Sequence, residues 1–139
     1  MTLLLVHATA CCLLAGLIWV VQLVVYPGFL EVGNSPRWPA YHAAHSRRMT
    51  LVVVLPWAAQ GLSLAALLLT RPAPLPLLAL AALCGLATVV LTAAVSVPLH
   101  TRLTTYDEQV VRRLVATNWW RTLAWSLAAA TSIAMVAVS

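Results

Sequence analysis

Histidines are the residues of this chain best suited to chemistry, and three of the four lie in two short polar stretches. His42 and His45 are spaced i, i+3 in the stretch from 37 to 48, and His100 begins the stretch from 100 to 121. Three imidazoles that meet can bind copper, zinc or iron. They can equally move protons near neutral pH, because histidine titrates in that range. The sequence therefore leaves two interpretations of these histidines, a metal site and an acid–base site.

Carboxylates are scarce, which limits the kinds of metal centre and enzyme to be expected. The chain contains only Glu31, Asp107 and Glu108, none of them in a Glu-x-x-His pair, so a carboxylate-bridged di-iron bundle is not expected. No histidine lies near the middle of an apolar run, so a haem ligand is not expected either. Copper and zinc are the metals that suit the histidines best. We find neither a nucleophile motif nor a phosphate-binding glycine loop.

The elements that must position these histidines are membrane-spanning helices. Of the 139 residues, 63% are hydrophobic and only 8% are charged, whereas about a quarter of a soluble domain is charged. Four apolar runs, at roughly 3–26, 49–70, 75–99 and 117–138, are each long enough to cross a bilayer. We therefore expect an all-α fold, a four-transmembrane-helix bundle that forms a single domain from 1 to 139.

Proline, glycine and capping residues predict where the helices begin and end. The first run is expected to end at Tyr26-Pro27-Gly28, because proline and glycine interrupt helices. Pro39 suits a first helical turn and is expected to start the second helix. Thr105 and Glu108 form a capping-box pattern in which Thr105 caps the fourth helix. The second and fourth helices should thus extend into the cytoplasmic interface.

The arginines predict how the bundle is oriented. Seven of the eight lie in the two stretches that carry the three histidines, and only Arg71 lies at the other end. By the positive-inside rule, the histidine-bearing connections are cytoplasmic and both termini are on the non-cytoplasmic side. The formal charge of +5 suits an anionic lipid surface, and we see no nucleic-acid-binding module. The expected partners are the lipid bilayer and an apolar small molecule, with a homo-oligomer left open.

Polar side chains inside the apolar runs collect at the same end as these histidines. Trp19, Gln22 and Tyr26 share a face of the first helix, and Asn118 and Arg121 share a face of the fourth. Because polar groups are costly in a bilayer, they are candidates for a functional site. The alternatives are an interfacial aromatic belt for Trp19 and a structural interhelical network for the amides and the guanidinium. The predicted substrate-binding residues are Trp19, Gln22, Tyr26 and Asn118, and the predicted catalytic residues are His42, His45, His100 and Arg121.

His7 stands apart from this group. It precedes Gln22 by 15 residues, which is roughly 22 Å along a helix and too far to join the same site. We expect His7 to be a packed polar residue.

Four strings that together extend over nearly the whole chain carry a resemblance to known proteins. They are Trp19-Val-Val-Gln22 with Tyr26-Pro27, Tyr41-His42-Ala-Ala-His45-Ser-Arg47-Arg48-Met-Thr50, Pro98-Leu-His100, and Thr117-Asn118-Trp119-Trp120-Arg121-Thr122 with Trp125. The chain resembles small, uncharacterised four-helix integral membrane proteins of bacteria. In layout it is more distantly similar to anthrone-oxygenase-like membrane proteins. The resemblance implies the fold and a bacterial plasma-membrane location, and it carries no active-site residues to transfer.

Two classes of function follow from the polar groups at one end of an apolar bundle. The first is a membrane enzyme that acts on a quinone-like, polyketide or isoprenoid compound, either as an oxidoreductase or as an acid–base isomerase or cyclase. The second is a non-enzymatic membrane partner, an assembly factor or a lipid-binding subunit, in which the polar network holds the four helices together.

Overall fold

The computed structural model describes all 139 residues, and the chain is entirely helical. Four long helices run up and down through the molecule, joined by short connections. They are α1 (Thr2–Val32), α2 (Trp38–Thr70), α3 (Leu75–Arg102) and α4 (Glu108–Ala137). The end of α1, the start of α2, the end of α3 and the start of α4 lie together, and this end of the bundle is called the histidine end below.

Three of the helices, α1, α2 and α3, are long and apolar enough to cross a membrane. The fourth run of the sequence, predicted as a span, forms α4, which is long enough but less apolar. Helices α1 and α4 are the most enclosed of the four, and the buried residues of α4 include Asn118, Thr122, Thr131 and Ser132. These polar side chains contact neighbouring helices and lower the mean hydropathy of α4. A membrane span at 117–138 stays a prediction.

Helix α1 does not end at Tyr26-Pro27-Gly28, so this prediction was wrong. The chain passes through a π-helical turn at Val21–Val25 and continues as α-helix from Tyr26 to Val32. Proline clashes with a carbonyl one turn earlier in a regular α-helix, and the wider π turn relieves that constraint. Gly33, whose φ is 56°, then ends the helix. Helix α3 has the same feature, a π-helical turn at Thr92–Ser96 that precedes Pro98.

The start of α4 also differs from the prediction, whereas the start of α2 confirms it. The side chain of Asp107, not that of Thr105, caps α4 by accepting hydrogen bonds from two backbone N–H groups at 2.9 and 3.1 Å. Glu108 turns outward to form a surface ion pair with Arg112. Aspartate and threonine are both good caps, so the sequence pattern alone did not separate them. Pro39 lies in the first turn of α2 as expected.

The helices pack in the spatial order α2, α1, α4, α3, and one side of the bundle is left open. Helix α1 packs along both α2 and α4, and α4 packs along α3. Helices α2 and α3 meet only weakly. At the histidine end the core is closed by Phe29 and Trp38, which are almost completely buried. The Trp38 indole donates a 2.8 Å hydrogen bond to the carbonyl of Leu103 and so fastens α2 to the end of α3.

Candidate functional site

The three predicted histidines meet at the histidine end. His42 and His45 project from the first two turns of α2, and His100 projects from the last turn of α3. The three rings lie 5.3 to 6.5 Å apart, centre to centre, and are within 30° of parallel. Phe29 meets His45 edge to face at 4.9 Å, and Trp38 stacks on His42 at 5.4 Å. These contacts with Phe29 and Trp38 restrict the orientation of the two imidazole rings.

Hydrogen bonds connect three helices through His100. The hydroxyl of Tyr26 lies 2.9 Å from His100 Nε2, and His42 Nε2 lies 3.1 Å from His100 Nδ1. A neutral imidazole has one donor and one acceptor nitrogen, so the chain is complete when Tyr26 donates to His100 and His100 donates to His42. Tyr26, His100 and His42 thus form one hydrogen-bonded chain that joins α1, α3 and α2.

His45 differs from its two neighbours. Neither of its ring nitrogens makes a hydrogen bond to another protein group, although its ring lies 5.9 Å from that of His100. The side chain is only partly buried and borders a cavity. His45 is therefore the histidine with both ring nitrogens free to contact a bound molecule, whereas His42 has only Nδ1 free.

The predicted metal, copper, zinc or iron, would need several side chains with free donor atoms around one point. The protein contains no group of three or more His, Cys, Asp or Glu side chains in an arrangement that could hold a metal ion. Both nitrogens of His100 already have hydrogen-bond partners, Tyr26 and His42. The arrangement therefore fits proton transfer better than metal ligation, and the metal stays a prediction from the sequence.

Arg121 lies one helical turn deeper than His100. Its Nη1 donates to Ser96 Oγ at 3.0 Å and to Asn118 Oδ1 at 3.2 Å, and its guanidinium carbon lies 5.1 Å from the centre of the Trp125 ring. Cation–π contact and neutral hydrogen bonds hold the charge in place. Arg121 borders the same cavity as these histidines, which places one positive charge beside them.

Gln22 and Asn118 lie on the side of Arg121 that faces away from the cavity, and neither lines it. Asn118 contacts Arg121, and Gln22 contacts Asn118. The amide of Asn118 donates to Gln22 Oε1 at 2.9 Å, and Gln22 Nε2 donates to the carbonyl of Val115 at 3.2 Å. Both amides are buried, so each needs these partners. The structural network that the sequence allowed is thus present, and it positions a side chain of the site.

Trp19 lies away from the cavity. It is 40% exposed, donates a hydrogen bond to Ser126 Oγ at 3.0 Å and meets Trp119 edge to face at 5.7 Å. Of the four predicted substrate-binding residues, only Tyr26 reaches the cavity wall. The position of Trp19 on the outer surface suits the aromatic-belt alternative.

A cavity of about 770 Å³ extends from the histidines toward the middle of the bundle. Its rim carries the histidines and Tyr26, and Arg121 lies just below. The deeper wall is apolar except at Thr92. That wall includes Leu14, Leu17, Ile18, Val53, Trp57 and Trp125. The sequence did not mark most of these wall residues, because an apolar side chain in an apolar run carries no sign of which neighbour it faces.

The cavity opens sideways, between α2 and α3. Thr50 and Val54 of α2 and Val97 and Thr101 of α3 line it, and all four are exposed. This is the side on which α2 and α3 barely touch. In a bilayer, the opening would face lipid at the level of the outer helical turns.

His7 forms a separate cluster outside this cavity. Its Nδ1 lies 2.9 Å from Ser63 Oγ, and its Nε2 lies 3.5 Å from Cys11 Sγ. Gln60 donates to the same sulfur and accepts a hydrogen bond from the Trp125 indole. His7, Cys11, Gln60 and Ser63 are all buried, and the cluster is packed without space for a ligand.

Comparison with known proteins leaves the geometry as the basis for function. No protein-family model matches the chain, and no curated protein or solved structure matches it significantly.

Proposed function

We propose that the protein is an integral membrane enzyme that moves a proton on an apolar small molecule, of quinone-like, polyketide or isoprenoid type. The observation that carries the proposal is the cavity of about 770 Å³, which joins an apolar wall to a rim of three histidines, a tyrosine and an arginine. Its volume is that of a small-molecule site, with few polar groups at one end of an apolar space. The histidine end would be cytoplasmic in a bacterial plasma membrane.

The substrate would enter from the bilayer. The gap between α2 and α3 is bordered by exposed Val54 and Val97, so an apolar molecule can pass into the cavity without crossing water. Its apolar part would lie against Leu14, Ile18 and Trp57, while its polar end would reach the histidines.

Each polar group has a role in the proposed proton transfer. His45 accepts a proton from a carbon beside a substrate carbonyl, and the electron pair of the broken C–H bond moves to the carbonyl oxygen. Arg121 stabilises the negative oxygen that forms. His45 then returns the proton to a different atom of the same molecule, so the reaction is an isomerisation that gains and loses no electrons. Tyr26, whose hydroxyl proton is donated to His100, lines the rim beside the carbonyl without donating to it.

The test is a comparison of membranes that contain the wild type or His45→Asn. We expect the substrate to accumulate in the lipophilic extract of the variant, as measured by untargeted mass spectrometry, with unchanged yield of folded protein. Arg48→Gln, a change at an exposed arginine one turn away, is the matched control and should leave the extract like the wild type. Identical extracts from wild type and His45→Asn would contradict the enzyme proposal.

The non-enzymatic alternative rests on one observation, the buried network of Gln22, Asn118 and Arg121 that links α1 to α4 and α3. In that case substitutions in the network would reduce the yield of folded protein or of a bound partner. His45→Asn, which removes no hydrogen bond within the protein, would then have no effect on either yield.

A further inference from the structure

The positive charge of Arg121 has no counter-charge in the protein. The single salt bridge joins Arg112 to Glu108 on the surface. The carboxylate of Asp107 caps α4, and Glu31 at the end of α1 forms no salt bridge. The neighbours of Arg121 are a hydroxyl, an amide and an indole ring, all of them neutral. A partly buried charge at an apolar site is costly unless an anion compensates it.

One donor group of the guanidinium is left for a ligand. Both hydrogen bonds of Arg121 use Nη1, and Nε is buried without a partner, so a ligand in the cavity does not reach it. Nη2 makes no hydrogen bond to a protein group, and the only further neighbour is the neutral hydroxyl of Tyr26. A hydrogen bond between a charged donor and an anion is roughly twice as strong as a neutral one. Nη2 is thus the donor that can bind an acidic group.

The other groups at the rim do not supply an anion. The side chains that line the cavity near Arg121 are His42, His45 and His100, with Tyr26 and several hydroxyls. No carboxylate lines it. Below the guanidinium the wall is apolar as far as Leu14 except at Thr92, whose hydroxyl bonds to a backbone carbonyl. The wall from Leu14 to Tyr26 spans roughly 18 Å at the rise of an α-helix. The cavity therefore has one fixed cation at the polar end of an apolar space.

We propose that the ligand of this cavity is an apolar molecule that carries one acidic oxygen group, a carboxylate or phenolate, and that Arg121 binds this group. The inference rests on the proposed function, because it assumes that the cavity is the binding site, and it names the substrate class. The acidic group lies between Arg121 and the three histidines, and the apolar body lies against the deeper wall. A neutral hydrocarbon or quinone would leave the charge uncompensated, so the inference narrows the proposed substrate classes to their members that carry an acidic oxygen group.

A matched pair of probes tests the proposal. We would titrate the purified protein in a neutral detergent with 2-naphthoate and with 2-naphthamide, which have nearly the same size, and measure the bound fraction by native mass spectrometry. Because hydrogen bonds to a charged group are the strong ones, we expect wild type to bind the acid at least about tenfold more tightly than the amide. Arg121→Gln should bind both probes equally. Arg113→Gln, an exposed position two turns away on α4, should behave like wild type.

Several results would overturn the proposal. Equal binding of acid and amide to wild type would do so even if Arg121→Gln failed to fold, and so would a preference that persists in Arg121→Gln. Arg121→Lys, which keeps the charge and loses the fixed planar geometry of the guanidinium, should retain only part of the preference. Displacement of 2-naphthoate by phosphatidylglycerol would assign the anion to a lipid headgroup and also contradict a small acid.

A cavity-filling variant separates failure of this inference from failure of the proposed function. Val53→Trp places a large ring in the cavity wall. If it blocks both probes while wild type binds them equally, the cavity is the binding site and only the acidic class is wrong. If neither probe's binding changes, both proposals fail.

Discussion

The two histidine clusters of this protein use similar hydrogen bonds and differ in the space around them. His7 lies 2.9 Å from a serine hydroxyl, and His100 lies 2.9 Å from a tyrosine hydroxyl. Around His7 every neighbour is packed, whereas His100 borders a cavity of about 770 Å³. The comparison shows that a hydrogen-bonded histidine in a membrane helix is not in itself evidence of function. What distinguishes the two histidines is the cavity beside His100, which His7 lacks.

Small residues account for the tight packing near His7. Cys11, Cys84 and Ala128 meet there from α1, α3 and α4, and Ser63 of α2 completes the contact. Small side chains let helices approach closely in a membrane protein. At the histidine end, α2 and α3 are joined through side chains, and the space beside them is bordered by larger side chains such as Trp57 and Trp125. One bundle thus has a closed part and an open part.

The sharpest way to break this comparison is to add volume to both parts. Ser63→Phe should leave almost no folded protein, because a ring forced into a packed contact costs about 3 kcal/mol or more. Val53→Phe should fold normally, since the added ring can enter the cavity. Fluorescence-detected gel filtration of both variants measures the difference. Equal yields would mean that the His7 cluster is not tightly packed.

Removing volume should also separate the two clusters. His7→Ala leaves a buried hole and removes one hydrogen bond of Ser63, which keeps its bonds to backbone carbonyls. We therefore expect a loss of about 2 to 4 kcal/mol in stability, mainly from the cavity. His45→Ala only enlarges an existing cavity and should cost less than about 1 kcal/mol. Thermal unfolding in detergent gives both values. A larger loss for His45→Ala than for His7→Ala would reverse the comparison.

The network behind Arg121 should give an intermediate effect. Asn118→Leu removes two hydrogen bonds, one to Gln22 and one from Arg121, and leaves a buried amide oxygen unpaired. We expect a loss of about 1 to 3 kcal/mol in stability and weaker binding of 2-naphthoate, because Arg121 loses its support. Leu123→Ala, at an exposed position of the same helix, is the control. Unchanged binding by Asn118→Leu would show that Arg121 is held without the network.

The cap of α4 provides the smallest test. Asp107→Ala should lower stability by about 1 kcal/mol, because two backbone N–H groups lose their acceptor. Thr105→Ala should have almost no effect, since its side chain makes no capping bond. Neither residue lies in the packed cluster around His7 or beside the cavity at the histidine end, so neither change should alter probe binding. Chemical unfolding and the binding assay together check both statements.

The sequence predicted which polar groups meet but not the shape of the space they border. The alternation of four helices was enough to bring His42, His45 and His100 to one end, since it follows from chain order, whereas the cytoplasmic side predicted from the arginines stays a prediction. The cavity wall was not predictable, because Leu14 and Val53 look like any lipid-facing residue. The extension of α1 past Pro27 was missed because a π turn, which no local pattern marks, accommodates the proline.

The two π turns have a consequence for how this site could change. Each adds one residue to a helical turn, and one residue corresponds to roughly 100° of rotation. The turn at Val21–Val25 lies just before Tyr26, and the turn at Thr92–Ser96 lies just before His100. Deleting one residue from either turn would rotate one partner of the 2.9 Å hydrogen bond away from the other and leave the remainder of the helix in register. Single-residue insertions or deletions in the π turns can therefore change the direction of Tyr26 or His100 without disturbing the packed cluster around His7.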